Sequence, residues 1–146
     1  MREFQIERVQ RIERSLEEVF YFFGDPANLE RLTPPWLNFR VLGCSTETIE
    51  EGSLIDYQLR LHGIRIRWRS LISSWEPAQR FVDEQVRGPY RSWHHTHTFI
   101  ESEGDTIIGD RMPLWPLGEC ALPLAKLQLK RIFGYRKQAI RSLLLA

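Results

Sequence analysis

From Trp68 to Phe99 the chain reads as three strand-like runs joined by two tight turns, at Pro77 and at Gly88-Pro89. This stretch constrains the fold more than any other. Side chains two apart on a strand share a face. Written so, one face carries Trp68, Ser70, Ile72, Phe81, Asp83, Gln85, Trp93, His95, His97 and Phe99, and the other carries Arg67, Arg69, Glu84, His94, Thr96 and Thr98. The second set suits water. The first mixes large aromatics with a few polar groups, which is the make-up of a ligand-cavity wall. A plain core face would lack Asp83, Gln85, His95 and His97.

The chain has 146 residues. That is the length of one domain, here 1–146, and enough to bury a core without disulfides or metals. Five Trp and eight Phe predict an aromatic-lined interior. The net charge is +1 and the basic residues are spread along the chain, so no nucleic-acid partner follows. No run approaches the ~20 apolar residues of a membrane span. Met1-Arg2-Glu3-Phe4-Gln5 lacks the apolar run of a signal peptide. Cys44 and Cys120 stand far apart without metal spacing and read as reduced thiols. A cytoplasmic location is therefore expected.

Phe4 to Ile12 alternates as a first strand. Ser15 followed by Glu18 makes a capping box for a short helix carrying Leu16, Val19, Phe20 and Phe23. Asp25-Pro26 opens a second short helix to about Leu32. Strands follow near 38–48, 53–62, 64–75, 80–87, 91–101 and 105–112, punctuated by glycine and proline. Such short connections give an antiparallel meander. Residues 113–123 read as a loop whose Leu114, Trp115 and Leu117 tuck against a cavity mouth or the sheet. A helix runs from Leu124 to Leu145, with Gly134 marking a close approach or a slight bend. Trp36, after Pro34-Pro35, is expected to close one end.

One strand, two short helices, six strands and a long terminal helix form a distinctive order. It resembles the helix-grip fold of the SRPBCC superfamily, which includes START lipid-transfer domains, pollen-allergen-like proteins and polyketide cyclases. The resemblance is carried by Asp25-Pro26-Ala27-Asn28-Leu29, Leu32-Thr33-Pro34-Pro35, Phe81-Val82-Asp83-Glu84-Gln85, Gly88-Pro89-Tyr90 and Trp93-His94-His95-Thr96-His97. These stretches look like its bacterial ligand-binding branch, related to polyketide cyclase/dehydrase-like proteins. The fold it implies is α+β: a seven-stranded curved antiparallel sheet wrapped around the C-terminal helix, with a cavity between them.

The Gly88-Pro89 turn suggests a register with Gln85 near Trp93, Asp83 near His95 and Phe81 near His97. Ser70 flanks Gln85 on the strand before. A turn around Gly104 would set Asp110 near His95 and Ile108 near His97. Asp83, His95 and Asp110 then form an inward row. An imidazole between carboxylates can orient a ligand, act as general base or simply satisfy a buried network. Metal binding is not expected, because His95-Thr96-His97 is the only local spacing for it. No cofactor motif is present. Tyr57, Trp68, Ser70, Asp83, Gln85, Trp93, His95, His97, Phe99, Ile108 and Met112 are the expected ligand contacts, and the expected partner is a small hydrophobic or aromatic molecule. The alternatives are a cyclase- or dehydratase-type enzyme using His95 with Asp83 or Asp110, and a protein-interaction module. A weak homodimer is left open.

Overall fold

The computed structural model describes residues 4–61, 63–116 and 122–145. Its elements are β1 (Phe4–Ile12), α1 (Leu16–Phe22), α2 (Pro26–Leu32), a 3-10 turn (Pro35–Leu37), β2 (Arg40–Cys44), β3 (Leu54–Leu61), β4 (Ile64–Glu76), β5 (Arg80–Arg87), β6 (Tyr90–Ser102), β7 (Asp105–Pro116) and α3 (Leu122–Leu145). The strands form one sheet in the order β1-β7-β6-β5-β4-β3-β2, and every pair is antiparallel. The sheet is curved and α3 packs on its inner face, so the architecture is the expected α+β helix-grip. No described helix is long and apolar enough to cross a membrane.

Local chemistry explains the first helices. The Ser15 hydroxyl accepts from the Glu18 amide at 3.3 Å, and Asp25 Oδ1 accepts from the Ala27 amide at 3.0 Å, so both N-termini are capped by side chains. Pro26 sits in the first turn of α2, where its missing N–H costs nothing. Asn28 donates to the Phe22 carbonyl at 2.7 Å and ties the two helices together. The apolar stripe of α1 delivers Val19 and Phe20 to the core, and Phe23 follows at its C-cap.

Several boundaries differ from expectation. β2 spans five residues rather than eleven. Asn38, in the left-handed region at φ 47°, ends the 3-10 turn just before it, and a bulge falls between Val41 and Gly43. The outward Val41 amide donates to Glu30 Oε1 of α2 at 2.7 Å. β7 continues to Pro116, pairing Leu114 with Phe4 and Pro116 with Tyr90. Residues 113–116 are thus strand, not loop. The expected tucking of Leu114, Trp115 and Leu117, and the state of Cys120, lie outside the described residues and side chains. α3 begins two residues earlier than predicted and runs unbroken through Gly134. A Cβ there would meet nothing within 4 Å, so no close approach requires this glycine.

The β6–β7 register is the main correction. Glu103 and Gly104 occupy the left-handed region at φ 52° and 83°, and Ser102 pairs with Asp105. This is the two-residue hairpin connection whose backbone matches strand twist. It sets His97 opposite Asp110 and Phe99 opposite Ile108, two residues from the expected pairs. A two-residue shift keeps every side chain on its own face. On β5–β6, Phe81 pairs with His97 and Asp83 with His95, as the Gly88-Pro89 turn suggested.

Candidate functional site

A cavity of about 200 Å³, not closed off from solvent, lies between the inner faces of β3 to β6, one stripe of α3 and the segments that carry Phe23, Leu32, Leu37, Phe39 and Ile49. Three kinds of wall surround it. At one end stand Phe23, Leu32, Ile49, Ile55, Ile72 and Phe81. At the other stand Phe39, Tyr57, Leu59, Trp68, Tyr90 and Trp93, with Leu129 and Ile132 of α3 facing them. Between them lies a polar row of Ser70, Asp83, His95, His97 and Arg136.

The polar row is a stack. His95 and His97, two apart on β6, overlap at 3.7 Å between centroids with 25° between planes. Phe81 covers the far side of His97 at 4.0 Å, and Phe133 of α3 meets His95 edge-on at 5.8 Å. Each imidazole has one short carboxylate contact. His97 Nε2 lies 2.6 Å from Asp83 Oδ2, and His95 Nε2 lies 2.8 Å from Asp110 Oδ1. Arg136 closes the network from α3, donating to Asp110 Oδ1 at 2.8 Å. Its Nη2 stands 3.4 Å from His97 Nδ1. A guanidinium only donates, so His97 Nδ1 accepts and its single proton sits on Nε2, toward Asp83.

The electrostatics agree with that assignment. Burial, helped by the neighbouring His95, pushes His97 down to about 4 against the partial opposition of Asp83 and Asp110. The ring is therefore neutral near pH 7. Burial would raise Asp83, but the His97 hydrogen bond and the nearby His95 outweigh it and hold the carboxyl below its ordinary value. Burial opposes ionisation of Asp110 too. Arg136, then His95 and His97, overcome it and keep Asp110 well below the carboxylate range. Tyr57, buried and facing Asp83, is held well above its ordinary value despite a 2.9 Å hydrogen bond with the Ser70 hydroxyl.

Of the residues singled out in the sequence, Tyr57, Trp68, Ser70, Asp83, Trp93, His95 and His97 lie in the cavity wall. Five do not. Gln85 is turned into the β5–β6 connection, donating to the Tyr90 carbonyl at 2.6 Å and accepting from the Tyr90 amide at 3.0 Å. A Cβ on Gly88 would collide with it. Phe99 is covered by Phe20 and Phe23 of the α1 segment at 5.1 and 5.4 Å. Ile108 belongs to the same solid cluster. Met112 packs with Ile6, Leu129 and Phe133. Asp110 lies behind the histidines, bound to Arg136. Trp36 does not close the cavity. Its ring leans on Tyr135 at 5.8 Å with Arg131 above it at 5.0 Å, while Leu37 enters the wall.

Arg136 is a site residue that the sequence analysis does not single out. It follows Leu129 and Phe133 and precedes Ile140 at three- and four-residue spacing, which places it on the buried stripe. That spacing was the available signal.

Asp83, His95 and His97 bring three potential metal-ligand atoms within 4.8 Å of one another. Held there, a metal would replace the 2.6 Å hydrogen bond between His97 Nε2 and Asp83 Oδ2 that the structure has. The row is built as a hydrogen-bonded stack.

No family model matches the sequence, and no curated protein matches it. Solved structures do match the fold. The Zhui aromatase/cyclase from Streptomyces sp. R1128 aligns with a TM-score of 0.78 at 11% identity, over 98% of this chain and 94% of that one. A protein from Chromobacterium violaceum aligns with 0.76 at 16% identity, over 96% of each chain. The major latex-like protein 151 of Panax ginseng aligns with 0.72 at 14% identity, over 99% of each. At such identities the likeness is one of fold, the helix-grip that the sequence resemblance implied.

Proposed function

We propose that the chain, as one domain of 146 residues acting in the cytoplasm, binds a small, flat, apolar or aromatic molecule of lipid- or polyketide-like character between its sheet and α3. The observation that carries this reading is the composition of the cavity: two apolar ends and one polar row. Burying apolar ligand surface at ~25 cal/mol per Å² supplies affinity, and the row orients the ligand. Native mass spectrometry of freshly purified protein, with titration of an apolar fluorescent dye, tests it. Co-purification of a small aromatic or lipid-like molecule, displaced by the dye, supports the reading. Protein of bare chain mass that binds no dye ends it.

One observation favours a second reading, a cyclase- or dehydratase-type enzyme. His95 Nε2 is committed to Asp110, but Nδ1 stands 3.7 Å from Asp83, beyond hydrogen-bond reach, in the cavity wall. A ring nitrogen open to a ligand and backed by a carboxylate has the arrangement of a general base. The comparison with an aromatase/cyclase agrees with it only at the level of fold. His95→Gln separates the readings. A binder keeps its fold and changes affinity modestly, whereas an enzyme loses turnover with binding intact.

A further inference from the structure

Resting on that ligand-binding reading, the polar row specifies what the ligand must carry. His95 is only 6% exposed and lines the cavity. Its two ring nitrogens face different surroundings. Nε2 turns back to Asp110 Oδ1 at 2.8 Å, behind the wall. Asp110 is held ionised, and a carboxylate only accepts, so Nε2 carries a proton. Nδ1 turns the other way, toward Asp83, itself a wall residue. The 3.7 Å between Nδ1 and Asp83 Oδ2 exceeds hydrogen-bond reach. Among the described residues no protein group bonds this nitrogen. It is not sealed off either. The sealed, unpartnered side-chain nitrogen among those residues is Trp68 Nε1, not His95 Nδ1. A buried ring thus keeps one nitrogen open on the cavity side.

A second proton on Nδ1 would draw the ring and Asp83 into a bond that the gap shows is not made. With its one proton on Nε2, the ring offers Nδ1 as a bare acceptor. Asp83 beside it only accepts as well, and already holds the His97 Nε2 proton. Two acceptors side by side repel a carbonyl or ether oxygen and attract a donor. The nearby donors are engaged elsewhere. The Tyr57 and Ser70 hydroxyls hold each other, and Arg136 faces Asp110 and His97. A ligand entering the cavity takes the place of water. A group that cannot reproduce water's hydrogen bond to Nδ1 loses affinity. A carboxylic acid ionises at neutral pH and would meet Asp83 as a like charge. A phenolic hydroxyl supplies the donor without that charge.

We infer that His95 Nδ1 is a specificity contact, accepting a hydrogen bond from a hydroxyl on a flat aromatic ligand. The cavity then selects phenols over ketones, ethers and hydrocarbons of the same shape.

Naphthol and methylnaphthalene, substituted at the same ring carbon, form a suitable probe pair, alike in shape, with a hydroxyl in one where the other has a methyl. Fluorescence titration of both into wild type and His95→Gln reads the contact. In that variant the amide nitrogen takes the place of Nε2 and keeps the bond to Asp110, while nothing takes the place of Nδ1. It should weaken naphthol by about five- to tenfold, the range a single neutral hydrogen bond supplies, and change methylnaphthalene by less than about twofold. The nitrogen NMR resonance of His95 Nδ1 gives a reading on wild type alone, should His95→Gln fold poorly. At neutral pH it should start where an unprotonated ring nitrogen lies, and move toward the hydrogen-bonded range with naphthol but not with methylnaphthalene. Equal losses for both probes, a resonance that naphthol leaves unmoved, or a ring already protonated at Nδ1 overturns the inference. Failure of both probes to bind wild type removes the ligand-binding reading itself. Methylnaphthalene binding with no His95-dependent gain for naphthol removes only this specificity contact.

Discussion

The inner face of the sheet carries two aromatic regions that arise from the same period-two pattern and end differently. Around Phe99 it is solid. Phe20, inserted by α1, sits 5.1 Å from Phe99, 4.7 Å from Trp75 and 6.3 Å from Phe81, and Ile12 and Ile108 complete the fill. Around Trp68 it is open. Tyr57, Trp68, Tyr90 and Trp93 form a comparable cluster of rings, but here the described side chains of α3, Leu129, Ile132 and Phe133 with Gln128, line a void rather than fill it. The difference lies in what lands on the face. Strand alternation marks a side chain as inward; an element far away in sequence decides whether it meets another side chain or a void.

Matched truncations test that contrast most severely. Phe20→Ala should cost about 3–5 kcal/mol, the range for a buried aromatic in a packed core, with ligand binding lost only as the fold is lost. Trp93→Ala, at the open end, should cost less than about half as much and change dye affinity instead. Chemical denaturation and dye titration on both variants check the pair, and equal stability losses would erase the distinction between the two ends.

The polar row between the two regions comes next. Arg136→Met leaves Asp110 in a buried site without its cation. The expected loss is at the lower edge of the ~3–5 kcal/mol that breaking a buried pair costs, because Arg136 keeps 12% side-chain exposure. An Arg136→Met chain of wild-type stability would mean that the two histidines alone hold Asp110.

Acid should act on the same row. His97 is held at about 4 in the folded chain against ~6.5 unfolded. Between those values the unfolded state binds the extra proton, so stability falls as pH is lowered through the window, by up to about 1.4 kcal/mol per pH unit for one proton. Asp83 and Asp110, both held low, extend the loss below pH 4. Denaturation midpoints between pH 7 and 4 should show the slope, and His97→Gln should flatten it. An unchanged slope in that variant would assign the titration to another group. The smallest effect is expected at Gln85→Ala, about 1 kcal/mol for its hydrogen bonds to the Tyr90 backbone, with dye affinity unaltered because Gln85 lies outside the wall.

These features were unequally legible in the sequence. The order of elements and the inward face of β4 to β6 followed from alternation and turn residues, and the β5–β6 register followed from Gly88-Pro89. The β6–β7 register did not, because the turn was centred one residue early; Glu103-Gly104 is where the backbone takes the left-handed conformation. Asp110 still reaches His95 at 2.8 Å, since it shares the inner face and is diagonal to it across the strands. Phe99, Ile108 and Met112 carry the right pattern for a cavity wall and are covered instead by α1, β1 and α3. That covering depends on tertiary placement, which alternation does not encode.

Glu30 has an effect at the margin of the molecule, away from the cavity. The rim of a sheet is where a second chain can add its own strand, because unpaired backbone groups wait there. At β2 that rim is five residues long and bulged, and the Val41 amide is already occupied by the Glu30 carboxylate. A newcomer would have to evict a charged side chain to gain a short, kinked ladder. Crowding this protein to high concentration should therefore not draw strands together along β2. The acidic side chain that closes this edge lets the domain keep an open, aromatic interior while giving nearby chains little backbone to grip.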